Sequence, residues 1–210
     1  MGFQEISQEL SMVQKNGIIG FFYIDDIVFA YKKDQKDEID QVIKLLQKTI
    51  IIKKVGELKW FLGLHVVCNQ TKQTIWPSQK AYITKIYNKF TTKPTSRLST
   101  MPMDIAELPP FSDKKKVCDI FKILYQQKVG SFLFVAITIR PDIAFAVSRL
   151  SQFNQRPGKI YHEIADQVFY YFLGMQDYYI CYGGETQDIS SFVYASDALF
   201  ADNLLDRKSF

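Results

Sequence analysis

The sequence predicts an α+β fold, in which antiparallel hairpins and helices occupy separate stretches of the chain. Three observations lead to it. Residues 17–31 are an almost unbroken apolar, β-prone run split by two carboxylates, the pattern of a hairpin with a polar bend. Residues 35–49 place Ile39, Val42, Ile43 and Leu46, with Ile50 beyond, at helical spacing. Residues 119–175 read as almost wholly helical.

Taken in order, the hairpin rises from Gly17 to Ile24 and returns from Ile27 to Tyr31, with Asp25 and Asp26 at its bend. Burying two unpaired carboxylates is prohibitive, so both are expected in water. Asp34 reads as the N-cap of the helix over 35–49, and Asp37 and Glu38 suit the positive end of its dipole. Packing that helix on the hairpin gives an α+β unit. Ile50 to Ile52 and Leu58 to Val67 read as strands around a turn at Gly56, and Thr74 to Trp76 closes a second hairpin. Pro77 and Ser78 are expected to open a helix with Tyr82, Ile83, Ile86, Tyr87 and Phe90 on one face. Residues 91–116 hold four of the seven prolines and the run Lys114-Lys115-Lys116, so they read as a linker. Helices follow over 119–138, over 141–153 behind Pro141, and over 159–175. Tyr178 to Tyr182 and Phe192 to Ala195 alternate like strands across Gly183-Gly184.

At 210 residues the chain can form one or two domains, and 47% hydrophobic against 23% charged residues excludes a disordered polymer. A net charge of +4 is compatible with phosphate contacts and too small to argue for nucleic-acid binding by itself. Cys68, Cys118 and Cys181 are odd in number and lack a C-x-x-C spacing; they read as free, buried thiols in a reducing compartment. His65 and His162 have no ligand-like neighbours and read as solvated or structural. No apolar stretch reaches the roughly 20 residues of a membrane span, and the N-terminus lacks a secretory pattern, so an intracellular protein without a membrane partner is expected.

Asp25 and Asp26 carry the chemistry of most interest. Two adjacent oxygen donors suit a hard divalent cation such as Mg²⁺, and paired cations can activate one oxygen and stabilise another in nucleotidyl transfer. An acidic turn between two strands accounts for the same dipeptide.

The residues around the pair narrow the choice. Tyr23-Ile24-Asp25-Asp26 resembles the signature box of reverse transcriptases. It is followed by Lys54-Val55-Gly56-Glu57-Leu58-Lys59-Trp60-Phe61-Leu62-Gly63-Leu64, by Ser78-Gln79-Lys80-Ala81-Tyr82-Ile83, and by Thr138-Ile139-Arg140-Pro141-Asp142-Ile143-Ala144. In this order and spacing the blocks are similar to the Pol polyprotein of copia-type LTR retrotransposons, over nearly the whole chain.

The resemblance implies a fragment of an RNA-directed DNA polymerase, which adds deoxynucleotides to a primer 3′-OH on a template. Residues 1–77 would be the C-terminal part of the palm, an antiparallel sheet with a helix. Residues 78–175 would be the helical thumb and connection, and 176–210 the first strands of a truncated ribonuclease H-like domain. Asp25 and Asp26 match the Mg²⁺-binding catalytic pair and Tyr23 the tyrosine beside it. Trp60, Phe61, Leu62 and Gly63 match a turn that holds the primer strand. Lys53 and Lys54 fall where a basic residue lies near the incoming nucleotide, and Lys80, Lys85 and Lys89 could track a phosphate backbone. A packed tyrosine, an ordinary strand and turn, and solvated lysines account for the same residues. Asp197, in Tyr194-Ala195-Ser196-Asp197-Ala198, takes the position of a metal-binding ribonuclease H aspartate, but Leu199-Phe200-Ala201-Asp202-Asn203 departs from the family pattern after it.

The 22 residues before Tyr23 contain no Asp, only Glu5 and Glu9 as acids. A further bridging ligand is therefore expected to be missing, and the chain to be inactive alone. The expected partners are an RNA or DNA primer–template and other Pol segments. A non-enzymatic nucleic-acid-binding remnant and a decayed element fragment are the alternatives.

Overall fold

A computed structural model describes residues 2–7, 9–91, 98–104, 108 and 118–184. The chain divides into two compact units, Met1–Lys59 and Trp60–Phe210.

In the first unit, β1 (Gln4–Ile6), β2 (Glu9–Lys15), β3 (Ile18–Tyr23) and β4 (Asp26–Ala30) form an antiparallel sheet in sequence order. Asn16 and Gly17 both take positive φ between β2 and β3, the geometry of the tight hairpin turn that matches strand twist. The helix α1 (Lys36–Thr49) covers one face of the sheet through Ile39 and Val42, which are buried against Ile18, with Phe3, Phe29, Ile43 and Leu46 around them. The start of α1 is tied to the Asn16-Gly17 turn. Gln35 Nε2 donates to the Asn16 carbonyl at 2.7 Å, and Glu38 pairs with Lys15 at 3.0 Å. Gly20 lies between Val13 and Phe29 in the ladder, and a Cβ there would come within 3.0 Å of both side chains. The absent side chain lets the Phe29 ring lie across the strand.

In the second unit, β5 (Trp60–Phe61), β6 (Leu64–Asn69), β7 (Thr74–Ser78) and β8 (Tyr182–Gly183) make an antiparallel sheet, and α2 (Lys80–Phe90), α3 (Asp119–Thr138), α4 (Ala144–Ser151) and α5 (Lys159–Gly174) supply the larger core. Phe132 of α3 meets Phe169 and Phe172 of α5 edge-on at 4.7 and 6.0 Å. Tyr125 donates to the Leu150 carbonyl at 2.8 Å, joining α3 to α4, and Phe153 stacks on Tyr161 at 3.9 Å. Burial pushes the Tyr125 phenol well above its ordinary pKa.

Between α3 and α4 the chain turns through Arg140-Pro141-Asp142. Arg140, 2% exposed, sends Nε and Nη2 to the Asp142 carboxylate at 2.9 and 2.8 Å and Nη1 to the Met175 carbonyl at 3.1 Å. Tyr171 of α5 donates its hydroxyl to Asp142 Oδ2 at 2.6 Å. The guanidinium also lies over the rings of Tyr171, Phe172 and Tyr178. Burial opposes ionisation of Asp142, but the hydrogen bonds from Arg140 and Tyr171 outweigh it and hold the carboxyl below its usual range.

Several expectations are corrected. Ile50 to Ile52 and Leu58-Lys59 are not strands: they have no ladder partner, and Ile51 is fully exposed. Pro77 and Ser78 end β7 instead of opening a helix. Pro77 is tolerated because β8 pairs only with Thr74 and Ile75, leaving it no ladder bond to donate on that side. Asp34 sits inside a 3₁₀ turn, Lys33–Gln35, and Gln35 takes the N-cap position of α1. Tyr178 to Cys181 is not a strand, and Tyr182–Gly183 pairs with β7. Its expected partner, 192–195, lies outside the described residues.

The compact units part at Lys59/Trp60, since β6 and β7 are ladder partners of β5 and β8. Within the 91–116 stretch, Leu108 is buried and Met103 lies against the helical core, while Leu98 and Met101 are exposed. All three cysteines are free but exposed, not buried. Against the expectation of no span-length apolar stretch, α3 has the length and composition to cross a membrane. It also buries Tyr125, Val129, Phe132 and Val135 in the core and carries Lys128 inside, paired with Asp166 of α5.

Two mutations test this packing. Arg140→Ala leaves Asp142 without its counter-charge; because Asp142 keeps some solvent, the loss in denaturant-unfolding stability is expected at the lower end for a broken buried pair, about 3 kcal/mol. Gly20→Val pushes a branched side chain against Phe29 and Val13 and is expected to lower stability by about 1–3 kcal/mol, read by the same method.

Candidate metal and nucleic-acid site

The site begins at the β3–β4 bend. Tyr23 and Asp26 are the last paired residues, and Ile24 and Asp25 make the two-residue turn. Tyr23, Ile24, Asp25 and Asp26 are all exposed. Directly opposed residues share a sheet face, so Tyr23 and Asp26 are neighbours across the ladder. Ile24 has φ +50° and is 87% exposed. A β-branched side chain in the left-handed region is strained by about 1–3 kcal/mol. The apolar alternation of β3 and β4 supports this bend, and α1 braces the opposite face of their ladder through Ile18 and Phe29.

Mg²⁺ commonly takes one or two carboxylates from a protein and the rest of its shell from water and phosphate oxygens. Asp25 and Asp26 meet that minimum. Among the described residues no cluster of three or more His, Cys, Asp or Glu could hold a metal. Asp197 lies outside the described residues.

Trp60 to Gly63 and the lysines of α2 belong to the second unit. Leu62 (φ +50°) and Gly63 (φ +80°) form the tight turn between β5 and β6, with Phe61 and Leu64 as its closing pair. Trp60 is 59% exposed, and its ring lies 4.8 Å from that of His65, its ladder partner. The tight turn at Leu62-Gly63 places the two rings opposite each other, a contact that spacing in the sequence does not show. Lys80, Lys85 and Lys89 are exposed on α2, away from its buried Ile86, and the Lys89 ammonium lies over the Phe90 ring at 4.9 Å. Lys54 instead pairs with Asp40 of α1, whose carboxyl that hydrogen bond holds below its usual range.

Comparison with known proteins gives relatives from transposons. The chain is 29% identical, over 93% of its length, to the retrovirus-related Pol polyprotein from transposon TNT 1-94 of Nicotiana tabacum, and covers 15% of that protein. It is 31% identical, over 71% of its length, to a putative transposon Ty5-1 protein of Saccharomyces cerevisiae, of which it covers 46%. It is 28% identical, over 72% of its length, to the retrovirus-related Pol polyprotein from transposon RE1 of Arabidopsis thaliana, of which it covers 10%. The chain thus spans less than half the length of each of these relatives. No protein-family model and no solved structure matches it. In sequence, and over most of its length, the chain is a homologue of the retrovirus-related Pol polyproteins of copia-type transposons.

Proposed function

We propose that this chain is the part of a retrotransposon RNA-directed DNA polymerase that carries the aspartate pair of its active site. The observation that bears most weight is the exposed pair Asp25-Asp26 at a strained hairpin bend, directly after Tyr23. The Pol relatives support the reading by name alone. Asp25 and Asp26 would be the catalytic residues that hold Mg²⁺, which when bound supplies positive charge for nucleotidyl transfer. The rigid ladder on either side of the bend keeps the two carboxylates presented to solvent.

In the second unit, the exposed Trp60 ring and the Leu62-Gly63 turn offer a stacking surface of the kind that holds nucleic-acid bases. Lys80, Lys85 and Lys89 offer cations to a phosphate backbone. Residues 1–77 would then act as palm, 78–175 as thumb and connection, and 176–210, with Asp197, as the start of a ribonuclease H-like domain. The lack of a third ligand beside Asp25 and Asp26 among the described residues favours binding without turnover by this chain alone. Other Pol segments would complete the site. Three free, exposed thiols fit a reducing, intracellular setting.

Primer extension with Mg²⁺ or Mn²⁺ tests the reading. The chain alone is expected to extend nothing, while Mn²⁺ broadens NMR signals of residues 23–27 in the parent and not in an Asp25→Asn, Asp26→Asn variant. Equal broadening in both would remove the metal role. Extension that the double variant abolishes would instead show a complete site. Binding to primer–template is expected to weaken with salt, and Lys85→Glu with Lys89→Glu to reduce the log–log slope by about 2, one for each lost phosphate contact. An unchanged slope would take α2 out of the interface.

A further inference from the structure

We propose that His162 is an acid-sensitive latch between α3 and α5, which on protonation releases the first half of α5 from α3. The imidazole is buried at the contact of the two helices, with the ring of Phe121 at 3.8 Å and that of Tyr125 at 5.1 Å. Its Nε2 is buried without a hydrogen-bond partner. Close by, Lys128 is 4% exposed and its ammonium pairs with Asp166. The charged and titratable groups around the ring are therefore Lys128 and Tyr125 from α3 and Asp166 from α5.

With the imidazole neutral, one cation meets one anion in this contact. An imidazolium would set two cations against a single carboxylate where water has little access, and the second charge has no counter-charge of its own. Burial first, and Lys128 second, hold the ring below the ordinary histidine pKa; Asp166 and a backbone hydrogen bond at Phe121 oppose them without prevailing. The unfolded chain takes the proton near pH 6.5. Stability from the neutral ring is thus complete above that pH and is lost as pH falls below it toward the folded-state value. Within that window the opening equilibrium gains up to about tenfold per pH unit. The Arg140–Asp142 pair responds in a separate, more acidic window, because its carboxyl is held below the usual range.

The test is amide hydrogen exchange on the full chain from pH 7.5 to 5, corrected for intrinsic chemistry, with NMR titration of the two histidines. Protection of residues 159–168 and 119–128 is expected to fall by up to about tenfold per pH unit below 6.5 relative to α1, and to level off near the pH at which the His162 ring titrates. His162→Gln is expected to flatten this dependence, and Lys128→Met to raise the pH at which it levels off. A His162 titration that leaves protection unchanged overturns the proposal, and so does a His162→Gln variant with the parental slope. If that variant does not fold, whether the fall in the parent levels off at the pH where the His162 ring titrates decides.

Discussion

Arg140 takes a full positive charge into the helical unit, and the surroundings are built to receive it. Its fork closes on Asp142 two residues away, its remaining nitrogen reaches the Met175 carbonyl, and three aromatic rings lie beneath it. A charge so desolvated is stable only when it is paired and hydrogen-bonded. Meeting that condition fixes the turn between α3 and α4 against the end of α5. Through Tyr171 it also fixes the rotation of α5, and with it the depth at which Phe169 and Phe172 meet Phe132. The core aromatics and this polar clasp therefore specify the same helix arrangement.

The helices and the β3–β4 bend were legible because their signals are local. Ile39 and Val42 on one face of α1, and the apolar flanks of Asp25-Asp26, need no knowledge of the rest of the chain. Strand β2 was missed for a physical reason: Glu9, Gln14 and Lys15 give it a weak strand composition, and its pairing is enforced by the Asn16-Gly17 turn and by Phe3 and Phe29 behind it. Ile50 to Ile52 erred in the opposite way. Three β-branched residues favour extended backbone but do not supply a neighbouring strand.

The same distinction holds for the candidate site. Asp25 and Asp26 stand out because carboxylates in an apolar run violate its pattern. The Trp60–His65 ring pair depends on register across the Leu62-Gly63 turn, which spacing alone did not disclose. The Arg140-Pro141-Asp142 block was visible as a resemblance without a role. Its role is that of a buried clasp, set by Tyr171 and Met175, which lie some thirty residues further along the chain.

The left-handed backbone at Ile24 has a consequence for how the two aspartates are displayed. A branched residue held at φ +50° has few neighbouring wells to visit, so the turn that it occupies samples a narrow range of shapes. Glycine there would relieve the strain but widen that range and add disorder to the unfolded chain. The ladder pairs on either side thus hold a tense residue in place, and the bend keeps its shape only as long as they do, with both carboxylates in water.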